Sequence, residues 1–265
     1  MGDVQSDLEL ARTATLAGTA VAMRYFAALA DLPQERKADG SVVTEADRAV
    51  EAAIRAVLTN ARPTDAILGE EGGATGGGAR RWIIDPIDGT AQFVAGDDRW
   101  LVLVALEEAD EIVAGVAAMP MLGRVWWARS GGGAFEARTD GTGERRITVA
   151  TGRPDEVSGS RLGVVPPAPS LTPTDRAIAA PLGAVAKTVE WDVHAALLVA
   201  SGELDLAVQT RGEVWDFAAT SLIVQEAGGC YGGVDGLRGP RAGTSLFARS
   251  TPLWKAAQKV LWPAA

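Results

Sequence analysis

The chain has 265 residues, of which 47% are apolar and 22% charged, so it can bury a sizeable core as one large unit or two closely packed ones. A net charge of −9 excludes a protein that wraps nucleic-acid backbones, since that binding draws on clustered Lys and Arg. One cysteine, Cys230, excludes an internal disulfide, and with His194 as the one histidine no Cys/His zinc cage can form.

The apolar runs fall short of the ~20 residues of a membrane span. The acidic start MGDVQSDLEL lacks the basic and apolar regions of a secretory signal. A reducing, cytoplasmic setting is expected.

In chain order, Leu8, Leu16, Met23 and Phe26 recur near helical spacing and predict an amphipathic helix over 5–30. KADGSVVTEAD follows as a turn and a short β-branched stretch. Thr44 and Asp47 have the spacing of a capping box, and Val50, Ile54, Val57 and Leu58 continue one face, so a helix is predicted over 44–60. A glycine-dense loop, GEEGGATGGGARR, leads into the strand RWIID. Apolar stretches at 100–106, 112–119 and 124–129 predict an antiparallel meander, with SGGGAFEA as a tight reversal. Residues 1–147 thus read as an α+β unit.

Beyond it, VVPPAPSLTPTD reads as a proline-rich connection. Helices are predicted over 192–202, from Asp216 to Gly228, and over 252–261. Strands are predicted at LDLAV and near 230–234. Residues 148–265 therefore read as a smaller α/β unit.

The chemistry concentrates in WIIDPIDGT. A strand ends on Asp85, Pro86 fixes φ, and Asp88 enters the turn, so both carboxylates can be held toward one point. Gly89 allows close backbone approach, and the amides of Gly89 and Thr90 can face an anion. Acids beside anion-binding amides make sense with cations between them. With Glu70 in GEE and Asp216 in WDFAAT, four carboxylates can converge, and their repulsion calls for a hard divalent ion with oxygen ligands. Taken alone, Asp216 reads as a helix N-cap and Thr44/Asp47 as a capping box.

The combination resembles the inositol monophosphatase-like, Mg²⁺-dependent phosphatases. It is carried by KADGSVVTEAD, GEEGG, WIIDPIDGT, VWWARSGGGAF, VASGELDLAV and WDFAATSLIVQEAGG, across nearly the whole chain. VTEADRAVE and WWARSGGGAF, together with WD and VASGELDLAV, are similar to the bacterial histidinol-phosphatase branch. The resemblance implies an α+β, layered αβαβα sandwich of the inositol monophosphatase and fructose-1,6-bisphosphatase type, and a homodimer. It implies two or three Mg²⁺ ions, one held by Glu70, Asp85 and the carbonyl of Ile87, a second by Asp85, Asp88 and Asp216, and a weaker third near Glu70.

It further implies that Asp88, Gly89 and Thr90 hold phosphate, and that Asp47 and Thr90, with Glu70, activate water. Asp192 is placed to touch substrate or to cap a helix, and Lys37 near a mobile metal hairpin or in solvent. The substrate is a small phosphate ester, histidinol phosphate ahead of inositol monophosphate, a sugar bisphosphate or a nucleotide. An inactive binding homologue is the other class, and the presence of every acid and of Thr90 argues against it. The chain departs from the family pattern at Ala91, Gln92 and Ala95, while Asp97 and Asp98 add acids to the cleft rim. Those acids suggest an amine-bearing substrate. His194, the Trp126-Trp127 pair and Cys230 read as structural, the tryptophans as core or dimer contacts.

Overall fold

A computed structural model describes residues 4–31, 34–36 and 42–263. Helices α1 (Val4–Phe26) and α2 (Glu45–Ala61) pack together, with a small antiparallel hairpin of β1 (Gln34–Arg36) and β2 (Val42–Thr44) leading into α2. The capping box is present: Thr44 accepts from the Ala46 amide and Asp47 accepts from the Thr44 amide. Behind it Val50, Ile54 and Leu58 are fully buried, as their spacing predicts. Lys37 lies outside the described residues.

The first sheet has eight strands: β3 (Ala66–Gly69), β4 (Gly73–Thr75), β5 (Arg80–Asp88), β6 (Leu101–Glu108), β7 (Glu111–Met119), β8 (Arg124–Arg129), β9 (Gly133–Arg138) and β10 (Arg145–Ile147). Their order is β10-β9-β8-β7-β6-β5-β3-β4, and β5 to β10 form the expected antiparallel meander. Alternation sorts side chains between two faces. Trp82, Ile84, Val102 and Val104 pack with α1 and α2, while Ile83, Leu103 and Ala105 face the opposite layer. Trp126 and Trp127 follow the same rule, one in each core, so both are core residues.

The second sheet has five strands, β11 (Arg161–Val165), β12 (Lys187–Thr188), β13 (Leu206–Gln209), β14 (Cys230–Gly233) and β15 (Ser245–Ala248), in the order β12-β11-β13-β15-β14. Besides the short α3 (Thr90–Val94), four helices complete the fold: α4 (Pro173–Gly183), α5 (Ala195–Ala200), α6 (Val214–Glu226) and α7 (Thr251–Leu261). α5 and α6 lie between the sheets and share one core with both, whereas α4 and α7 cover the outer face of the second. The layers alternate αβαβα. α6 is buried on every side from Phe217 to Val224, with Thr220 and Ser221 bonding back to helix carbonyls, as befits a helix enclosed between two sheets. At Gly115 on β7 a Cβ would stand 3.0 Å from the Ala219 backbone, so glycine sets how closely α6 approaches the sheet.

Three boundaries differ from expectation. The proline-rich connection runs into α4, because Thr172 caps it and Pro173 occupies a first-turn position where a missing N–H costs nothing. α5 begins at Ala195 with His194 at its N-cap position, so Asp192 is not a cap. α6 begins at Val214 rather than Asp216: Glu213 is its N-cap residue and Asp216 stands at the third helical position.

Candidate active site

In a regular strand, positions three apart face opposite sides of the sheet. Asp85 nevertheless pairs with Leu103 and Asp88 with Leu101, so β5 carries one extra residue across that interval. The bulge, at Pro86 with its missing N–H, turns both carboxylates to one side. β3 runs parallel to β5, and the Glu70 amide donates to the Ile84 carbonyl at 3.2 Å, which brings Glu70 beside Asp85. From the second half, the first turn of α6 delivers Asp216. Carboxylate oxygens of Asp85, Asp88 and Asp216 lie within 4.8 Å of one another.

Burial followed by the charges of Glu70, Asp88, Asp216 and Asp47 drives the Asp85 carboxyl well above its usual range. Burial, then Asp216 and Glu70, does the same to Asp88. Asp216 is pushed up to about 7, mainly by burial, against the opposing hydrogen bond its Oδ2 accepts from the Glu213 amide at 2.6 Å. Capping and clustering are therefore compatible roles for Asp216. Asp85 Oδ1 and Asp88 Oδ2 are buried with no hydrogen-bond partner among the described residues. Buried, unpaired carboxylate oxygens that repel one another form a donor set suited to Mg²⁺ or another hard divalent ion.

Asp47 is fully buried at the start of α2. Its Oδ2 accepts from the amide and the hydroxyl of Thr44, both at 2.7 Å, and its Oδ1 accepts from the Thr90 hydroxyl at 3.0 Å. Burial raises the Asp47 carboxyl despite these bonds. The Thr90 hydroxyl also lies 3.2 Å from the Ile87 carbonyl. Gly89, at φ 95°, adopts a left-handed conformation that favours glycine and turns the chain from β5 into α3. The first-turn amides of α3 have no intrahelical acceptor. Glu70, Asp85, Ile87, Asp88, Gly89, Thr90, Asp47 and Asp216 thus come together, and Asp192 lies at the rim, exposed to solvent.

That rim corrects one expectation. Asp97 is held by Arg99, whose amide and Nε donate to Oδ1 at 3.0 and 2.8 Å, so this added acid is neutralised where it stands. The hydrogen bond from Arg99 holds the Asp97 carboxyl below its usual range. The backbone of Arg99 abuts Gly89, its carbonyl 3.2 Å from where a Cβ would be. Its guanidinium lies 5.9 Å from the Trp191 ring and within the field of Asp192 and Glu190. Arg99, Pro167, Leu171, Glu190 and Trp191 line a cavity of about 250 Å³. Gln92 of α3 donates to Ser170 Oγ at 2.9 Å, between the lining residues Pro169 and Leu171.

Sequence reasoning missed Arg99 and Glu51, and named Gln92 only as a departure from the family pattern. The buried Glu51 stands four residues after Asp47, on the same face of α2, and accepts from the Glu71 and Gly72 amides. The available signal was that spacing, together with the glycines around Glu70-Glu71. His194 is buried with no charged partner among the described residues, its pKa lowered to about 4 by burial, and packs on Trp191, a structural role. Cys230 is buried, and burial pushes its thiol up to about 11.

The sequence matches the inositol monophosphatase family over residues 3–261. It is 38% identical over 258 residues to the histidinol-phosphatase of Streptomyces coelicolor, covering 92% of this chain and 93% of that one. It is 32% identical over 250 residues to the inositol-1-monophosphatase of Rhizobium meliloti, covering 90% and 89% respectively. The solved structure of the extragenic suppressor protein suhB from Bartonella henselae aligns with a TM-score of 0.82 at 24% identity over 98% of this chain and 100% of that one, a likeness of fold. No described helix is long and apolar enough to cross a membrane.

Proposed function

The chain belongs to the inositol monophosphatase family, and from that membership we propose that it is a Mg²⁺-dependent phosphomonoesterase whose favoured substrate is histidinol phosphate. The observation that carries the reading is the convergence of Asp85, Asp88 and Asp216 with orphaned, buried oxygens, next to the Asp47–Thr90 hydrogen bond.

Glu70, Asp85, the Ile87 carbonyl, Asp88 and Asp216 would hold two or three ions. Bound magnesium supplies Lewis-acid charge and a water of lowered pKa. The chain's own groups do the rest. Thr90 Oγ accepts a hydrogen bond from the attacking water while passing its own proton toward Asp47 Oδ1, and the raised pKa of Asp47 suits it to hold that proton. The amides of Gly89 and Thr90 would orient phosphoryl oxygens for in-line attack, in which the P–O bond to water forms as the opposite ester P–O bond breaks and the departing alkoxide takes a proton from solvent. Glu70 serves both as a ligand and in orienting water. A histidine nucleophile has no part in this scheme, since His194 is buried against Trp191.

For the leaving group, the cavity lined by Arg99, whose backbone abuts Gly89, offers an aromatic wall, prolines and the Glu190 carboxylate, with Asp192 acting on the same guanidinium. An apolar slot with an acidic edge fits a flat ring bearing an amine better than a polyol, which needs many hydrogen-bonding partners. The 38% identity to a histidinol-phosphatase supports the same choice. A homodimer, as the family resemblance implies, belongs to this reading.

The test is phosphate release from a panel of esters with and without Mg²⁺: histidinol phosphate, myo-inositol phosphate, a sugar bisphosphate and a 3′-phosphonucleotide. Histidinol phosphate is expected to give the highest kcat/KM, and no ester should turn over without metal. Faster turnover of myo-inositol phosphate than of any amine-bearing ester would overturn the substrate assignment. Metal-independent turnover would overturn the mechanism.

A further inference from the structure

The turn that carries Glu70 is built around a buried side chain of α2. Glu51 is 2% exposed; its Oε2 accepts from the Glu71 amide at 2.8 Å and its Oε1 from the Gly72 amide at 2.9 Å. Arg55, one helical turn on, donates to Glu51 Oε1 at 2.6 Å, to the Gly73 carbonyl at 2.6 Å and to Thr75 Oγ1 at 3.0 Å. A Cβ on Gly69 would stand 2.3 Å from Glu51 Oε1, and one on Gly72 would stand 2.6 Å from it. Neither glycine has the left-handed φ that demands glycine, so it is contact with this carboxylate that keeps both positions bare. Asp47, Glu51 and Arg55 lie at four-residue intervals on one face of α2.

We propose that Glu51 is a positioning residue of the metal site: clamped by Arg55, its carboxylate fixes the Gly69–Gly72 turn and so aims Glu70 at Asp85. One rigid helix then places both the proton acceptor, Asp47, and a metal ligand it does not itself carry. Losing a group that orients a ligand from behind typically costs about 10–100-fold in metal affinity. Glutamine cannot substitute, because the two carboxylate oxygens receive N–H donors separately, and an amide nitrogen facing the Glu71 or Gly72 amide would set donor against donor. The inference rests on the metal-dependent reading above.

The experiment is calorimetric titration of the substrate-free protein with Mn²⁺, alongside amide hydrogen exchange at Glu71 and Gly72. Glu51→Gln should weaken Mn²⁺ binding about 10–100-fold and release protection of those two amides, with the circular dichroism spectrum retained. Gly72→Ala leaves every charge in place and pushes a methyl group into the carboxylate; it should weaken Mn²⁺ binding in the same direction, and it decides the matter if Glu51→Gln does not fold. A lower melting temperature with wild-type Mn²⁺ affinity in these variants would mean that Glu51 only stabilises the fold, and would overturn the inference. Failure of the wild-type protein to bind Mn²⁺ would overturn the metal reading itself and this inference with it.

Discussion

The Thr90 hydroxyl donates to Asp47 Oδ1 at 3.0 Å, joining the first turn of α2 to the first turn of α3 across 43 positions of sequence. The partners differ in what they can lose. Asp47 also caps α2, whereas Thr90 has one hydroxyl and a methyl group. Thr90→Val, which keeps the shape, should lower kcat about 10²–10⁴-fold, the usual worth of a positioned proton acceptor, while Mn²⁺ affinity stays near wild type. Thr90→Ser should restore much of the rate. Steady-state kinetics paired with metal titration reads both outcomes, and a Thr90→Val enzyme of normal rate would remove the relay.

Asp88→Asn separates charge from volume. The substitution removes one of the buried like charges that raise Asp85, so the metal-free protein should melt higher, by about 2–4 °C for each kcal/mol of relief. The same variant should lose turnover and most of the melting-temperature gain that Mg²⁺ gives the parent. Calorimetric scans with and without Mg²⁺ check both directions. A metal-free Asp88→Asn protein that melts lower would show that the carboxylate stabilises the fold by some other contact.

The response to pH follows from the same groups. Asp216 rises from 3.8 to about 7 in the fold, and Asp85 and Asp88 are raised well above 3.8. A carboxyl with a raised folded pKa contributes stability that is fully present below the unfolded value and lost as pH climbs through the folded one. Metal-free protein should therefore lose this contribution between about pH 4 and pH 7, and Mg²⁺, by neutralising the carboxylates, should restore it. The Mg²⁺-induced rise in melting temperature is expected to be small near pH 5 and large near pH 8. His194 acts in the opposite sense, its depressed pKa costing stability as pH falls from 6.5 toward 4, with or without metal, so it cancels in the difference. A Mg²⁺ effect independent of pH would contradict the coupling.

Away from the site, Arg249 and Asp205 form a buried pair at 3.1 Å, and Asp205 also accepts from the Arg161 amide at 2.8 Å. Asp205→Ala leaves the Arg249 guanidinium with Asp155 and the Arg153 and Pro154 carbonyls and deprives the Arg161 amide of its acceptor, and should cost about 1–3 kcal/mol in urea unfolding. Because none of the site carboxylates is altered, Mn²⁺ affinity should not change.

Much of this was legible along the chain, for reasons that differ by element. α2 could be read because Thr44, Asp47, Val50, Ile54 and Leu58 state a cap and a face in consecutive turns. The meander could be read from its runs of apolar residues. α4 could not, because the prolines of VVPPAPSLTPTD suggest a loop, while Pro173 at the first turn of the helix forfeits no hydrogen bond. α5 was expected over 192–202, but residues 192–194 lie in the approach to it and the helix ends at Ala200.

Local order within the sequence determined the acids themselves, the strand-ending Asp-Pro-Ile-Asp-Gly-Thr and the capping of α2, because these depend on neighbours a few residues apart. Only the tertiary structure decided that a one-residue bulge turns Asp85 and Asp88 to the same side, that Arg99 cancels Asp97, and that Glu51 supports the turn behind Glu70. Those outcomes depend on sheet register and on burial of charge between distant segments, and both come into being only when the layers close on one another.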